Sequence, residues 1–259
     1  MRYEAMFKAL EARHEGAFVP FLVLGDPDVE TSRRLLEAVV AGGADAVELG
    51  IPFSDPIADG PTVQAGDVRA LSAGVRPADC WKLIAGLRAA HPDLPIGLLV
   101  YANLVFTRGI DYFYSQAAEA GVDSVVVADV PVMEAQPFVE AAHRHAVAPV
   151  LIAPPNASAA TLEQVARLSS AYIYVQGRSG VTGTETAAAP PSQAIQRLTA
   201  LGGPRCLVGF GISQPEHVQA ALQGGAAGAI SGSAVVDRVA RDPGSIEGFV
   251  RSMKAATRR

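Results

Sequence analysis

The chain has 259 residues, 49% of them hydrophobic, with a formal net charge of −5 and two cysteines. That length and apolar share suit a single α/β domain over residues 1–259, and an acidic chain without a Lys/Arg-rich run lacks what a nucleic-acid surface needs to neutralise phosphates. Cys80 and Cys206 make neither a disulfide framework nor a metal spacing, no segment offers about 18 uninterrupted apolar residues, and residues 1–13 do not read as a secretory leader; a cytoplasmic protein acting on a small molecule is expected.

Short apolar, β-branched runs predict strands over 18–24, 46–49, 96–100, 124–128, 149–152, 172–175, 207–209 and 228–230. Helical periodicity fills the gaps, over 30–41, 77–91, 110–120, 133–145, 159–168, 191–200 and 215–223. Eight βα units in a chain of this length point to an α/β fold, a closed (β/α)8 TIM barrel with an extra N-terminal helix. An open doubly wound sheet is the alternative, against which stands the missing Gly-x-Gly-x-x-Gly turn after the first strand. An internal echo supports the barrel: residues 41–50, 120–129 and 224–232 all run helix end, glycine, small or acidic residues, buried strand.

The second strand carries Glu48 inside an apolar run, and the loop behind it holds Asp55 and Asp59. A carboxylate costs too much to bury ionised unless it has a fixed partner or works as an acid or base. In a barrel the carboxyl ends of the strands form the active rim, so Glu48 and Asp59 are the candidates for chemistry. The bland readings are a buried carboxylate tying down backbone N–H groups for Glu48 and a turn or cap aspartate for Asp59. Asp129, at the end of the fourth strand, suits a loop-fixing or interface role.

Late in the chain, Val-Gly-Phe-Gly-Ile-Ser at 208–213 and Ile-Ser-Gly-Ser-Ala at 230–234 follow strands seven and eight. Glycines let the backbone approach a ligand, a helix start offers free N–H groups to an anion, and this is where barrels often bind phosphate. After strand six, residues 176–190 form a loop of small and polar residues whose length and place suit a lid; Gly183 could bring its N–H to the phosphate, and Arg178 its charge. The three lysines, Lys8, Lys82 and Lys254, fall in helical segments, which argues against a lysine Schiff base. The five histidines also read as helical, without ligand spacing, which argues against a metal. Carboxylates are left to do the chemistry, with Tyr101 and Tyr174 as helpers.

The run Glu-Leu-Gly-Ile-Pro-Phe-Ser-Asp-Pro-Ile-Ala-Asp-Gly-Pro at 48–61 resembles the signature of tryptophan synthase alpha chains. So do the stretches at 18–27, 101–103, 127–131, 180–183, 209–213 and 230–233, in the right order along nearly the whole chain. The resemblance implies a barrel lyase that cleaves indole-3-glycerol phosphate to indole and glyceraldehyde 3-phosphate, in the last step of L-tryptophan biosynthesis. It implies Glu48 as general acid/base, Asp59 as acceptor of the indole N–H and Tyr174 beside the reacting groups. Phe21, Leu99, Tyr101, Ala128, Ile152 and Phe210 would line the substrate pocket, and Thr182, Gly183, Gly211, Gly232 and Ser233 would lie around the phosphate. It implies no cofactor in this chain and a partner beta chain that holds pyridoxal phosphate, in an alpha2beta2 heterotetramer that passes indole between subunits. Val23, where a threonine is common, and Ala65, where an asparagine is frequent, depart from the pattern and bear on loop contacts. Another phosphate-binding barrel enzyme, or a binding and activating subunit with negligible turnover, remain as alternatives.

Overall fold

Nine short strands, all paired in parallel, form the sheet: β1 Ala17–Val23, β2 Val47–Gly50, β3 Ile96–Val100, β4 Ser124–Val127, β5 Ala148–Pro149, β6 Ile152–Ala153, β7 Ile173–Gln176, β8 Cys206–Gly209 and β9 Gly228–Ser231. Their order is β5-β4-β3-β2-β1-β9-β8-β7-β6, in a computed structural model that describes residues 1–177 and 191–258. The two ends of that order are successive pieces of one segment. The Val150 N–H donates to the Val125 carbonyl at 3.0 Å on one side, and the Tyr174 N–H donates to the Leu151 carbonyl at 3.1 Å on the other. The ring therefore closes, and β5 and β6 are the two halves of the fifth barrel strand, expected as one run over 149–152. Pro149 has no N–H to donate, and the segment changes partner just after it.

Local chemistry explains the helices between the strands. Asp28 caps the helix Val29–Ala41 by accepting the Thr31 N–H at 2.8 Å. Proline opens the helices Pro61–Ser72, Pro77–Ala90 and Pro215–Gln223, where its missing N–H costs nothing. The helix expected over 133–145 is divided into a 3-10 turn, Val132–Glu134, and a helix, Gln136–Arg144, with proline in the first turn of the latter. His14, His91 and His145, read from the sequence as helical, lie just beyond helix ends.

Alternation along the strands gives two cores. Phe18, Leu22, Val47, Leu49, Leu98, Val125, Ile173, Val175 and Val208 face the helix layer. Val19, Ala46, Val126, Val150, Tyr172, Tyr174, Leu207 and Ile230 fill the barrel. The first helix, Arg2–Ala12, buries Tyr3, Phe7 and Leu10, spaced along one helical face, against that interior set and plugs the floor. With the amino end of the barrel filled in this way, the carboxyl end is left for a ligand.

Candidate active site

Glu48 stands next to Phe21 in the register of β1 and β2 and points into the barrel. It is 1% exposed. The Tyr172 hydroxyl donates to its Oε1 at 2.9 Å. Burial pushes the Glu48 carboxyl up to about 7; the Tyr172 hydrogen bond opposes that rise and the nearby Asp59 charge adds to it. A side chain in this state holds or releases a proton with little cost at neutral pH.

Asp59 lies on the loop after β2 and is 5% exposed. The Tyr101 hydroxyl, at the end of β3, donates to its Oδ2 at 2.6 Å, and the Gln64 amide donates to its backbone carbonyl at 2.7 Å. Phe53, on the same loop, stacks on the Tyr101 ring with centroids 5.5 Å apart. The loop is thus folded back onto the rim, and Asp59 faces the same space as Glu48.

Two cavities meet there. The smaller, about 30 Å³, is lined by Phe21, Glu48, Asp59, Leu99, Tyr174, Phe210, Gly211, Gly232 and Ser233 among others. The larger, about 510 Å³, shares Asp59, Leu99, Tyr174 and Phe210 and continues past Ala128 and Ile152 toward Pro131 and Met133. Tyr101, expected in the pocket wall, lines neither cavity and serves as the donor to Asp59. Thr182, Gly183 and Arg178 lie outside the described residues.

The glycine-rich turn after β8 is conformationally unusual. Phe210 and Gly211 have φ of 71° and 76°, a left-handed conformation that a bulky residue such as Phe210 adopts only at a cost of about 1–3 kcal/mol. The Phe210 ring meets Tyr174 edge-on at 6.0 Å. A Cβ at Gly209 would stand 2.0 Å from the Tyr174 hydroxyl, so glycine there is what admits the ring. After β9, Gly232 starts the helix Ser233–Arg241 beside the smaller cavity, and the first N–H groups of a helix have no partner within it. The cavity lined by Glu48 and Asp59 therefore also offers an anion site built from backbone.

Tyr172 was not singled out in the sequence as a functional residue. Its only signal is the i, i+2 spacing with Tyr174, which puts both rings inside the barrel, one layer apart. Asp129 accepts the Ala102 N–H at 2.7 Å and fixes the start of the helix Ala102–Phe106. Among the described residues no group of three or more His, Cys, Asp or Glu side chains could hold a metal ion, and no helix is long and apolar enough to cross a membrane.

A closed barrel with a buried, near-neutral carboxylate facing a helix-start anion site at the carboxyl ends of its strands has the architecture of a (β/α)8-barrel lyase. The family model for the tryptophan synthase alpha chain matches residues 7–259. Tryptophan synthase alpha chains of Klebsiella pneumoniae and Escherichia coli are each 53% identical, over 99% of this chain and 98% and 99% of theirs. The structure of Mycobacterium tuberculosis tryptophan synthase superposes with a TM-score of 0.92 at 28% identity, covering 100% of this chain and 98% of that one; the alpha chain of Legionella pneumophila gives 0.87 at 27%, covering 99% and 97%. This chain belongs to the tryptophan synthase alpha chain family, the carbon–carbon lyases of tryptophan biosynthesis that cleave indole-3-glycerol phosphate to indole and glyceraldehyde 3-phosphate.

Proposed function

We propose that this chain, as one barrel domain, performs the family's retro-aldol cleavage through Glu48, Asp59 and the backbone anion site. Protonated Glu48 delivers its proton to C3 of the indole ring. Asp59 accepts the ring N–H and is matched to the positive charge that this step places on the ring. The carboxylate left on Glu48 then takes the proton of the side-chain hydroxyl next to C3; the bond from C3 to that carbon breaks, its electrons restore the aromatic ring, and the hydroxyl becomes the aldehyde of glyceraldehyde 3-phosphate. One group performs both transfers, so a pKa near the working pH serves it best.

Leu99, Ala128, Ile152, Phe21, Tyr174 and Phe210 supply an apolar wall for the ring, with Tyr101 holding Asp59 in place from behind. The phosphate is assigned to the N–H groups at Gly211, Gly232 and Ser233, joined by Thr182 and Gly183. The observation that carries this reading is the near-neutral carboxyl of Glu48, 1% exposed, in one cavity wall with Asp59 and the start of the helix Ser233–Arg241.

The family implies a beta-chain partner. The rim suits it: Ile57, Phe106 and Met133, in the segments that follow β2, β3 and β4, are 72%, 55% and 81% exposed, a concentration of large apolar side chains that fits a docking face. We assign the assembly as an alpha2beta2 heterotetramer in the cytoplasm, with pyridoxal phosphate in the beta chain alone. Incubating the chain with indole-3-glycerol phosphate, with and without a beta chain, tests the reading: indole and glyceraldehyde 3-phosphate are expected in equal amounts, and a different product or none in both conditions would refute it.

A further inference from the structure

The helix Pro61–Ser72 carries a carboxylate that the reaction does not use. Asp67 sits in its middle, 6% exposed, and its Oδ1 accepts the backbone N–H of Phe53 at 3.3 Å, across 14 residues. Phe53 belongs to the loop that carries Asp59, and its ring lies on Tyr101, whose hydroxyl donates to Asp59. A short path of contacts thus runs from Asp67 through Phe53 and Tyr101 to the Asp59 carboxylate.

We propose that Asp67 is a positioning residue for the cleavage reaction: it anchors the loop after β2 to the helix Pro61–Ser72 through the Phe53 N–H, and so fixes where Asp59 presents its carboxylate.

The helix itself is held tightly enough to serve as the anchor. At Gly66, beside Asp67, an added Cβ would lie 3.0 Å from Val236, 3.1 Å from Asp26 Oδ2 and 3.3 Å from Val23. The helix is therefore pressed against the end of β1 and against the helix Ser233–Arg241. Val23, one of the two departures from the family pattern, lies at this contact, and Ala65, the other, is exposed just before Gly66; neither side chain can hydrogen-bond the loop, and Asp67 does.

The surroundings of Asp67 are unfavourable to its charge. Asp59 and Asp26 face it, and although Arg69 forks onto Asp26 with two bonds of 2.7 Å, both aspartates still disfavour ionised Asp67. Burial first, and then Asp59, raise its carboxyl to about 7, against the pull of the Phe53 N–H. Because the folded value lies above the ordinary value of 3.8, the chain loses stability as the pH rises between the two. Asp67 is thus held at the Phe53 N–H against a cost in stability at neutral and higher pH.

That contrast supplies the test, which rests on the reaction proposed above for one of its three readouts. The full chain, Asp67→Ala and Asp67→Asn are compared by hydrogen exchange at the Phe53 amide, by kcat and KM for indole-3-glycerol phosphate, and by Tm at pH 8. In Asp67→Ala the Phe53 amide should exchange at least about tenfold faster. Its kcat should fall about tenfold with KM within about threefold, since the anion-site backbone belongs to the turn after β8 and the start of the helix Ser233–Arg241 and not to the loop that Asp67 anchors, and its Tm should not fall. Asp67→Asn keeps an acceptor oxygen and should restore Phe53 protection and kcat to within about threefold of the unmodified chain. Unchanged Phe53 exchange in Asp67→Ala, an unchanged kcat, or an Asp67→Ala chain that melts earlier or fails to fold would each overturn the proposal. So would an Asp67→Asn variant as impaired as Asp67→Ala. If the unmodified chain released no indole, the reaction assigned above would fall, and Phe53 exchange would still decide whether Asp67 anchors the loop.

Discussion

The two ends of the barrel use charge in opposite ways. At the floor, Arg88 donates to the carbonyls of Gly121, His91, Pro92 and Leu94 and to Asp123 Oδ2 at 2.6 Å, while Arg2 holds the other Asp123 oxygen at 2.8 Å. Nearby, Lys254 bridges Asp45 at 2.9 Å and Glu15 at 3.1 Å. These carboxylates have cationic partners, and the loops under the strands are tied by them. At the rim Arg69 forks onto Asp26, but Glu48 is hydrogen-bonded by a neutral tyrosine and Asp67 by a backbone N–H, and these two carboxyls are pushed up to about 7. Phe210 also holds a left-handed conformation there. The floor stabilises the fold, and the rim gives up stability for groups that change protonation near neutral pH.

Substitutions at each end should separate these two uses. The largest effect is expected for Glu48→Gln, which should lose at least about 100-fold in turnover of indole-3-glycerol phosphate. It should keep substrate binding and gain thermal stability above neutral pH. The sign follows from the raised folded value of Glu48: between 4.5 and about 7 the folded chain binds the extra proton, so stability declines as pH rises through that window, and the amide removes the decline. Thermal melts of both proteins at pH 5 and pH 8 check it.

Arg88→Ala should do the reverse. With the Arg88 and Asp123 side chains 13% and 11% exposed, removing one partner leaves a mostly buried carboxylate and several carbonyls unmatched. A loss of about 2–4 kcal/mol of unfolding free energy is expected, with turnover of the folded fraction within about twofold of normal. Denaturant melts and active-site-normalised assays would reveal it.

Asp59→Asn should lower turnover by about tenfold or more, since a neutral amide stabilises a cationic ring less than a carboxylate does; steady-state assays measure it. Smaller still is Tyr172→Phe. The Tyr172 hydrogen bond lowers the Glu48 value, so its loss should move the alkaline limb of the kcat/KM profile, where protonated Glu48 is lost, upward by up to about one pH unit, with little change in Tm.

How much of this could be read in the sequence follows the same division. Glu48 stood out because a carboxylate interrupts an apolar strand, and the late glycines stood out because they follow two strand ends in succession. Seven helices and the strand positions were visible in the 3.6 and continuous-apolar patterns, to within a residue or two at most ends. Asp67 was invisible: the helix Pro61–Ser72 that carries it is not among those seven, and an aspartate in a helix reads as solvent-facing unless the packing of that helix is known. Arg88 was equally silent, because a long side chain at a helix end shows nothing of the five groups it gathers. Tyr172 sat inside a recognised strand but had no mark of its own. The division of the fifth strand depends on which neighbour each backbone group meets, information that exists only once the ring is closed.

The central claim is that the Glu48 carboxyl is held near neutrality by burial. Its protonation can be followed directly, by infrared difference spectroscopy of the carboxyl band against pH, with Glu48→Gln identifying the band. A band lost in Glu48→Gln that titrates near pH 7 is the predicted result; titration of that band near 4.5 would contradict it.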